Sequence, residues 1–276
     1  MNLKGIYKPI KNQLFHVENE LASIVGSYLS KDSIDEILNC FFKIQGKRLR
    51  PALTLLCAGL VNQRLGKDSD HKLIKLCVAL ELIHSTSLIH DDIIDDDTLR
   101  RGQETLNSAY GRKIAVLAGD VLYARSFSVL STELPKEFGQ RIVNLTEDMC
   151  RAEIKQAKEQ NVTKSLYLSI VQGKTAGFMS VCCQLGGLLA GANLKETQYL
   201  AEFGLNLGMT YQLMDDIIDE DMDKSLDIGM KDAEIYATKA LKAISSFEET
   251  PYKQSLINFV HYILSFSHQP MAKKIV

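Results

Sequence analysis

The stretch that decides the fold is Glu81–Asp95, ELIHSTSLIHDDIID, together with its echo at Tyr211–Asp219, YQLMDDIID. Each ends in the pentapeptide Asp-Asp-Ile-Ile-Asp, at 91–95 and at 215–219, near the C-terminal end of a long apolar helical pattern. No constant period surrounds the two copies, so they are not units of a solenoid. They are two elements with the same local chemistry. On a helix, residues four apart share a face, so Asp91 points with Asp95 and Asp215 with Asp219. Like charges at that spacing repel, aspartate is a poor helix former, and a carboxylate near a helix C-terminus opposes the macrodipole. Each effect costs from a few tenths to about 1 kcal/mol. Two apolar helices that both carry this cost point to a ligand that reverses its sign. A divalent cation does so, and oxygen-only ligands favour Mg²⁺ or Ca²⁺ over zinc. Mg²⁺ takes one or two carboxylates and completes its shell with water and phosphate oxygens. Two such clusters on facing helices would clamp a metal-bridged diphosphate.

Outward from these stretches the helical period dominates. It predicts helices over 9–29, 33–44, 51–65, 70–96, 109–133, 138–159, 163–190, 195–221, 231–248 and 252–267, with no clear strand alternation. Pro51 suits a first helical turn, and Gly102 and Gly111 bracket a connection between two long helices. No linker, low-complexity tract or shift of composition divides the 276 residues, so the expectation is one all-α domain, a helical bundle able to hold a site in its core. A net charge of −2 argues against a nucleic-acid binder. The six cysteines include no C-x-x-C pair, which reads as reduced thiols in a cytoplasm. The opening MNLKGIYKPIKNQ has no signal-peptide core. No apolar run is expected to be long enough to span a bilayer.

Basic residues supply the complement to the acidic clusters. Gly46-Lys47-Arg48-Leu49-Arg50-Pro51 sets three cations just before a predicted helix, where its amides and dipole add to an anion site. Arg100-Arg101 follows the first acidic cluster, and arginine suits bidentate phosphate contact. Lys174-Thr175-Ala176 lies inside another long helical pattern and is weak by itself.

Taken together, the G-K-R-x-R-P segment, the two D-D-x-x-D motifs, the T-L-R-R-G that follows the first, and the K-T-A segment resemble, in order, the trans-isoprenyl diphosphate synthases (polyprenyl synthetases). The resemblance runs from about Lys43 to Asp219 and implies an all-α bundle of the isoprenoid synthase type with a central cavity. It implies a head-to-tail condensation of isopentenyl diphosphate with an allylic diphosphate, three Mg²⁺ per active site and a homodimer. By position, Asp91, Asp92 and Asp95 would bind two Mg²⁺ on the allylic diphosphate, and Asp215, Asp216 and Asp219 would bind the third. Arg100 and Lys174 would hold the allylic diphosphate. Lys47, Arg50, His84 and Arg101 would hold that of isopentenyl diphosphate. Thr175 and Gln212 would lie by the developing cation. The small Thr86 and Ser87, about one turn before the first motif, would leave the product tunnel open beyond fifteen carbons, and a phenylalanine at 86 would shorten the product.

One part of the family pattern is absent. A basic lid stretch and further helices usually follow the second motif. Here Asp219 leads within a few residues to a terminal-type helix near Asp232, with only Lys224 and Lys231 to replace the cations. Other readings fit part of the pattern: a non-catalytic partner subunit, a class I terpene cyclase, an H-D phosphohydrolase on His90-Asp91, a di-iron bundle on Glu81-x-x-His84, or a helical adaptor. Against them stand two intact acidic motifs, an aspartate-only second motif, too few patterned histidines, no second E-x-x-H, and the duplication itself.

Overall fold

A computed structural model describes residues 2–26, 33–43, 46–64, 66–159, 161–219 and 226–268. The expected helix ends at 29, 44, 65 and 221, and Lys224, lie outside them. The elements are α1 (Leu3–Ile6), α2 (Lys11–Gly26), α3 (Ser33–Phe42), α4 (Leu49–Val61), α5 (Lys67–Ile94), the strands β1 (Leu99–Arg100) and β2 (Gln103–Glu104), α6 (Leu106–Tyr110) and α7 (Arg112–Glu133). Then come α8 (Lys136–Lys158), α9 (Lys164–Val171), a π turn over Gln172–Ala176, α10 (Gly177–Leu189), α11 (Leu194–Ile218), α12 (Met230–Ala243) and α13 (Pro251–Leu264). The helical period therefore located every long element. It ran α9, the π turn and α10 together as one helix, and it missed the two-residue strands.

Contacts gather the chain into two compact units. One comprises residues 12–51 and 70–139, hence α2, α3, most of α5, the β1–β2 hairpin, α6 and α7. Its axis is α5, which buries Leu73, Leu76, Leu80, Ile83 and Ile89. Helix α7 packs on α5 through Ser126, whose hydroxyl donates to Ala79 O, and through Gly119. A Cβ at Gly119 would fall 2.3 Å from His90 Nε2, so only glycine seats that imidazole against α7. Arg125 of α7 donates to Asp35 of α3 and to Val25 O, and all three partners are buried.

The other unit comprises residues 1–11, 52–69 and 140–275, hence α1, most of α4 and α8 to α13. Its long α11 starts on a capping box, with Asn193 accepting from Glu196 N and Glu196 accepting from Asn193 N. Buried Lys253 ties the turn between α12 and α13 by donating to Ser245 O, Phe247 O and Glu249.

The expectation that no apolar run suffices to span a bilayer is corrected here. By length and composition two helices, α5 and α7, are apolar enough, with mean hydropathy 1.4 over their most apolar windows. The residues that interrupt their apolar runs are largely uncharged, so the average stays high. In α5 78% of that window is buried, as in a core helix; in α7 only 44% is. Ile114, Leu117 and Phe127 of α7 are exposed.

Candidate active site

In the unit built on α5, the first acidic motif closes the helix. Asp95 N donates to Asp91 O at 2.8 Å, which holds these two carboxylates one turn apart on the more open side. Asp96 then takes a left-handed conformation (φ 56°), and Asp97 N returns to Asp92 O at 3.0 Å, ending the helix in a Schellman-type turn. The carboxylate of Asp92 points the other way. It is buried and accepts from both Nε and Nη2 of Arg100 at 2.6 Å. Burial pushes the Asp92 carboxyl up from its ordinary range, while the Arg100 guanidinium opposes that shift.

The chain then reverses through β1 and β2, paired Leu99 with Glu104 and Arg100 with Gln103. The two turn residues, Arg101 (φ 51°) and Gly102 (φ 79°), both have positive φ, as a type I′ hairpin requires. For arginine that backbone is strained. It places the Arg101 guanidinium over Gly46, where an added Cβ would meet Nη1 at 3.1 Å. The basic segment is itself held by Arg48, also left-handed (φ 53°). Its Nε and Nη2 donate to the two carboxylate oxygens of Glu18 at 2.6 and 3.2 Å, and Nη1 donates to buried Glu81 at 2.8 Å.

The result is a convergence on His84. Burial first, then the positive fields of Arg50, Arg101, Arg100 and Arg48, hold this imidazole well below the ordinary histidine range. Four guanidiniums from two segments fifty residues apart thus bear on one imidazole. His84 lies seven residues before Asp91 on the same helix, roughly 10 Å along its axis at 1.5 Å per residue. Lys47 is exposed just before α4. Of the two small residues expected to line a product tunnel, Thr86 is fully buried and its hydroxyl donates to Leu82 O and Gly119 O at 3.0 and 3.3 Å. A phenylalanine there would run into the α7 backbone. Ser87, half-buried, is the more open of the pair.

In the other unit the second motif has the same local build. Asp219 N donates to Asp215 O at 2.9 Å, Asp215 is buried, and Asp219 caps α11 half-exposed. The K-T-A segment forms the π turn, a backbone insertion common at functional sites. Thr175 Oγ1 donates to Gln212 Oε1 at 2.9 Å, and Gln212 Nε2 donates to Asp216 Oδ1 at 2.7 Å. Lys174 Nζ pairs with Glu153 of α8 at 2.5 Å.

Three features went unseen in the sequence. Tyr167, whose hydroxyl donates to Asp216 Oδ2, carries no motif. The brace of Glu18 and Glu81 on Arg48 joins residues far apart in the chain. Gly204 and Gly208, four apart and followed at the same step by Gln212 and Asp216, were a signal available to a reader of helix faces.

All donors in the acidic motifs are carboxylate oxygens, which fits Mg²⁺. Among the described residues, no three His, Cys, Asp or Glu side chains come close enough to hold a metal ion by themselves.

A model of a protein family described as polyprenyl synthetase matches residues 31–240. The heptaprenyl diphosphate synthase component 2 of Geobacillus stearothermophilus is 36% identical over 222 residues, 79% of this chain and 67% of that protein. The chloroplastic solanesyl-diphosphate synthase 2 of Oryza sativa is 32% identical over 225 residues, 79% of this chain and 55% of its own. The chain spans about half to two thirds of the length of the curated relatives it matches. The crystal structure of a polyprenyl synthase from Caulobacter crescentus, complexed with calcium and isoprenyl diphosphate, superposes with a TM-score of 0.83. It covers 96% of this chain and 98% of that one at 24% identity, a likeness of fold.

Proposed function

The chain belongs to the polyprenyl synthetase family, the trans-isoprenyl diphosphate synthases, and from that premise we propose that it condenses isopentenyl diphosphate head to tail with an allylic diphosphate. The observation that carries the reading is that the positive fields of Arg50, Arg101, Arg100 and Arg48 all bear on His84, on the helix that ends in the first acidic motif. The anion-binding cations of the α4 start and the β1–β2 hairpin thus bear on the same helix that carries the carboxylates, as a metal-bridged diphosphate requires.

Lys47, Arg50, His84 and Arg101 bind the diphosphate of isopentenyl diphosphate, and Arg100 and Lys174 bind that of the allylic primer. Asp91, Asp95, Asp215 and Asp219 are the ligands for Mg²⁺, three ions per site. Asp92 and Asp216, engaged by Arg100 and by Tyr167 and Gln212, act as braces. Bound Mg²⁺ supplies positive charge that stabilises the leaving diphosphate. The protein's cations and oriented dipoles do the same without reorganising as the allylic C–O bond ionises. Thr175 and Gln212 face the allylic carbon. The isopentenyl double bond attacks it, and the proton lost afterwards goes to the released pyrophosphate. Buried apolar helices keep water from the cation.

The product exceeds fifteen carbons, a reading supported by small, half-buried Ser87 and by two relatives named for heptaprenyl and solanesyl products. Two copies of the chain pair in the cytoplasm across the exposed apolar side of α7, at Ile114, Leu117 and Phe127.

The test is to incubate the purified chain with labelled isopentenyl diphosphate, Mg²⁺ and, separately, primers of five, ten, fifteen and twenty carbons, then to size the products. Metal-dependent extension past fifteen carbons is expected, and Ser87→Phe should shorten the longest product. No extension of any primer by folded protein would instead favour a partner subunit. The relative named as a component of its synthase is a specific reason to keep that outcome in view.

The depressed His84 pKa gives a second expectation. A diphosphate among the same four guanidiniums cancels the field that disfavours the imidazolium, so binding lifts the pKa and takes up a proton. Burial, the larger cause of the depression, persists in the complex, so affinity for isopentenyl diphosphate should tighten as pH falls below the ordinary histidine range. Calorimetry should show a steeper rise for the natural chain than for His84→Gln. Equal slopes would remove His84 from the site.

A further inference from the structure

Gly204, Gly208, Gln212 and Asp216 follow one another at four-residue steps and share a face of α11. That face lies along the chain from Tyr167 to Ser180. A Cβ at Gly204 would sit 2.4 Å from Met179 O, and one at Gly208 would sit 2.5 Å from Ala176 Cα, so the two backbones touch. Beyond the glycines the seam turns polar, with Gln212 meeting Thr175 and Asp216 meeting Tyr167.

The direction of these hydrogen bonds is fixed from one end. The Asp216 carboxylate can only accept. It accepts from Tyr167 on Oδ2 and from Gln212 Nε2 on Oδ1. Burial, and then the adjacent Asp216 charge, keep the phenol protonated. The Gln212 amide cannot turn over without setting Oε1 against Oδ1. Its Oε1 must face Thr175, and the single Thr175 proton is committed to it at 2.9 Å. The lone pairs of Thr175 Oγ1 are what remain to face anything else.

We propose that Tyr167 is a positioning residue which, through Asp216 and Gln212, sets the polarity of Thr175 so that it presents oxygen lone pairs, not a proton, to the electron-poor allylic carbon. The inference rests on the prenyl-transfer reading and assigns it a residue outside every motif. The ring of Tyr167 packs with Leu168, Leu205 and Tyr236 against buried Val171, Ala176 and Met209. Tyr167→Phe keeps that packing and removes only the hydroxyl.

The experiment is Tyr167→Phe in the full chain, read in two ways. The first needs no turnover. The side-chain amide protons of Gln212, identified by their loss in Gln212→Ala, should exchange with water about tenfold faster once Asp216 loses the Tyr167 hydroxyl. The second is kinetic. The value of kcat should fall about tenfold or more, the worth of one hydrogen bond to a charged group, with KM for isopentenyl diphosphate unchanged. Combined with Thr175→Val, the variant should cost little beyond Thr175→Val alone, because both break one relay.

Unchanged exchange, unchanged kcat, losses that multiply with Thr175→Val, or a KM that rises with the fall in kcat would each overturn the proposal. If Tyr167→Phe does not fold, Asp216→Asn carries the same test, since asparagine can donate and frees the Gln212 amide to turn. A natural chain that extends no primer would sink the prenyl-transfer reading and this role for Thr175 with it, whereas an active chain with an indifferent Tyr167→Phe sinks this proposal alone.

Discussion

Replacing Asp91 and Asp95 together by asparagine should lower kcat by about a thousandfold while leaving the metal-free protein as stable as before, or more so. The two effects have separate causes. The carboxylates stand one turn apart at the end of α5, where they repel each other and oppose the helix dipole. Neutralising them relieves roughly 0.3–1 kcal/mol at each position. A metal that stabilises a departing diphosphate contributes several kcal/mol to the transition state, and each ~1.4 kcal/mol lost is a factor of ten. Asp92→Asn should behave in the opposite sense. It breaks the pair of buried Asp92 with half-buried Arg100, so the melting temperature falls, because a partly desolvated guanidinium loses its carboxylate. Thermal unfolding without Mg²⁺, paired with steady-state rates, separates the cases. A double variant that melts early and still turns over would mean that the acidic run braces the helix end and holds no metal.

That contrast also marks how far the sequence carries. Helical period placed α5 and α11, and the i, i+4 argument found the carboxylates that share a face. It could not distinguish Asp91 from Asp92, because the difference is made by Arg100 arriving through a hairpin. The hairpin itself gave little signal. Its strands are two residues each, and its turn is Arg-Gly, where asparagine or glycine usually precedes the glycine. The π turn was equally silent, since Gln-Gly-Lys-Thr-Ala lies inside a continuous helical pattern with no proline to mark it. The basic groups were visible as two separate patches. Their convergence on His84 is tertiary, set by the left-handed backbones of Arg48 and Arg101, and neither residue type announces positive φ. The membrane-span expectation failed for a related reason. The apolar residues of α5 outweigh the serines, threonine and histidines that interrupt them, so its mean hydropathy stays at 1.4.

The seam between α11 and the π turn yields the other large effect, through Gly208→Ala. In an ordinary helix interior this change favours the folded state by about 1 kcal/mol. Gly139 of α8 is such a place, with nothing within 4 Å of its added Cβ, and Gly139→Ala should raise the melting temperature with no change in rate. At Gly208 the new methyl would meet Ala176 Cα at 2.5 Å, Cβ at 3.0 Å and N at 3.3 Å. These atoms belong to the backbone and the first carbon of the π turn, and they have no rotamer to change. Overpacking of this kind costs roughly 1–3 kcal/mol, so the helix-propensity gain offsets much of it and the melting temperature should fall by only a few degrees. The rate should suffer far more. Ala176 is the neighbour of Thr175, and Gln212 stands one turn beyond Gly208, so any separation opens the 2.9 Å bond between Thr175 and Gln212 directly. A displacement near 1 Å at groups that orient a reacting carbon costs about a hundredfold. The expected pattern is therefore a small thermal shift with a loss in kcat approaching two orders of magnitude, from a substitution that adds one methyl and removes no functional group. Full activity in Gly208→Ala would show that the relay tolerates a displaced α11, and would remove the reason for glycine at this position.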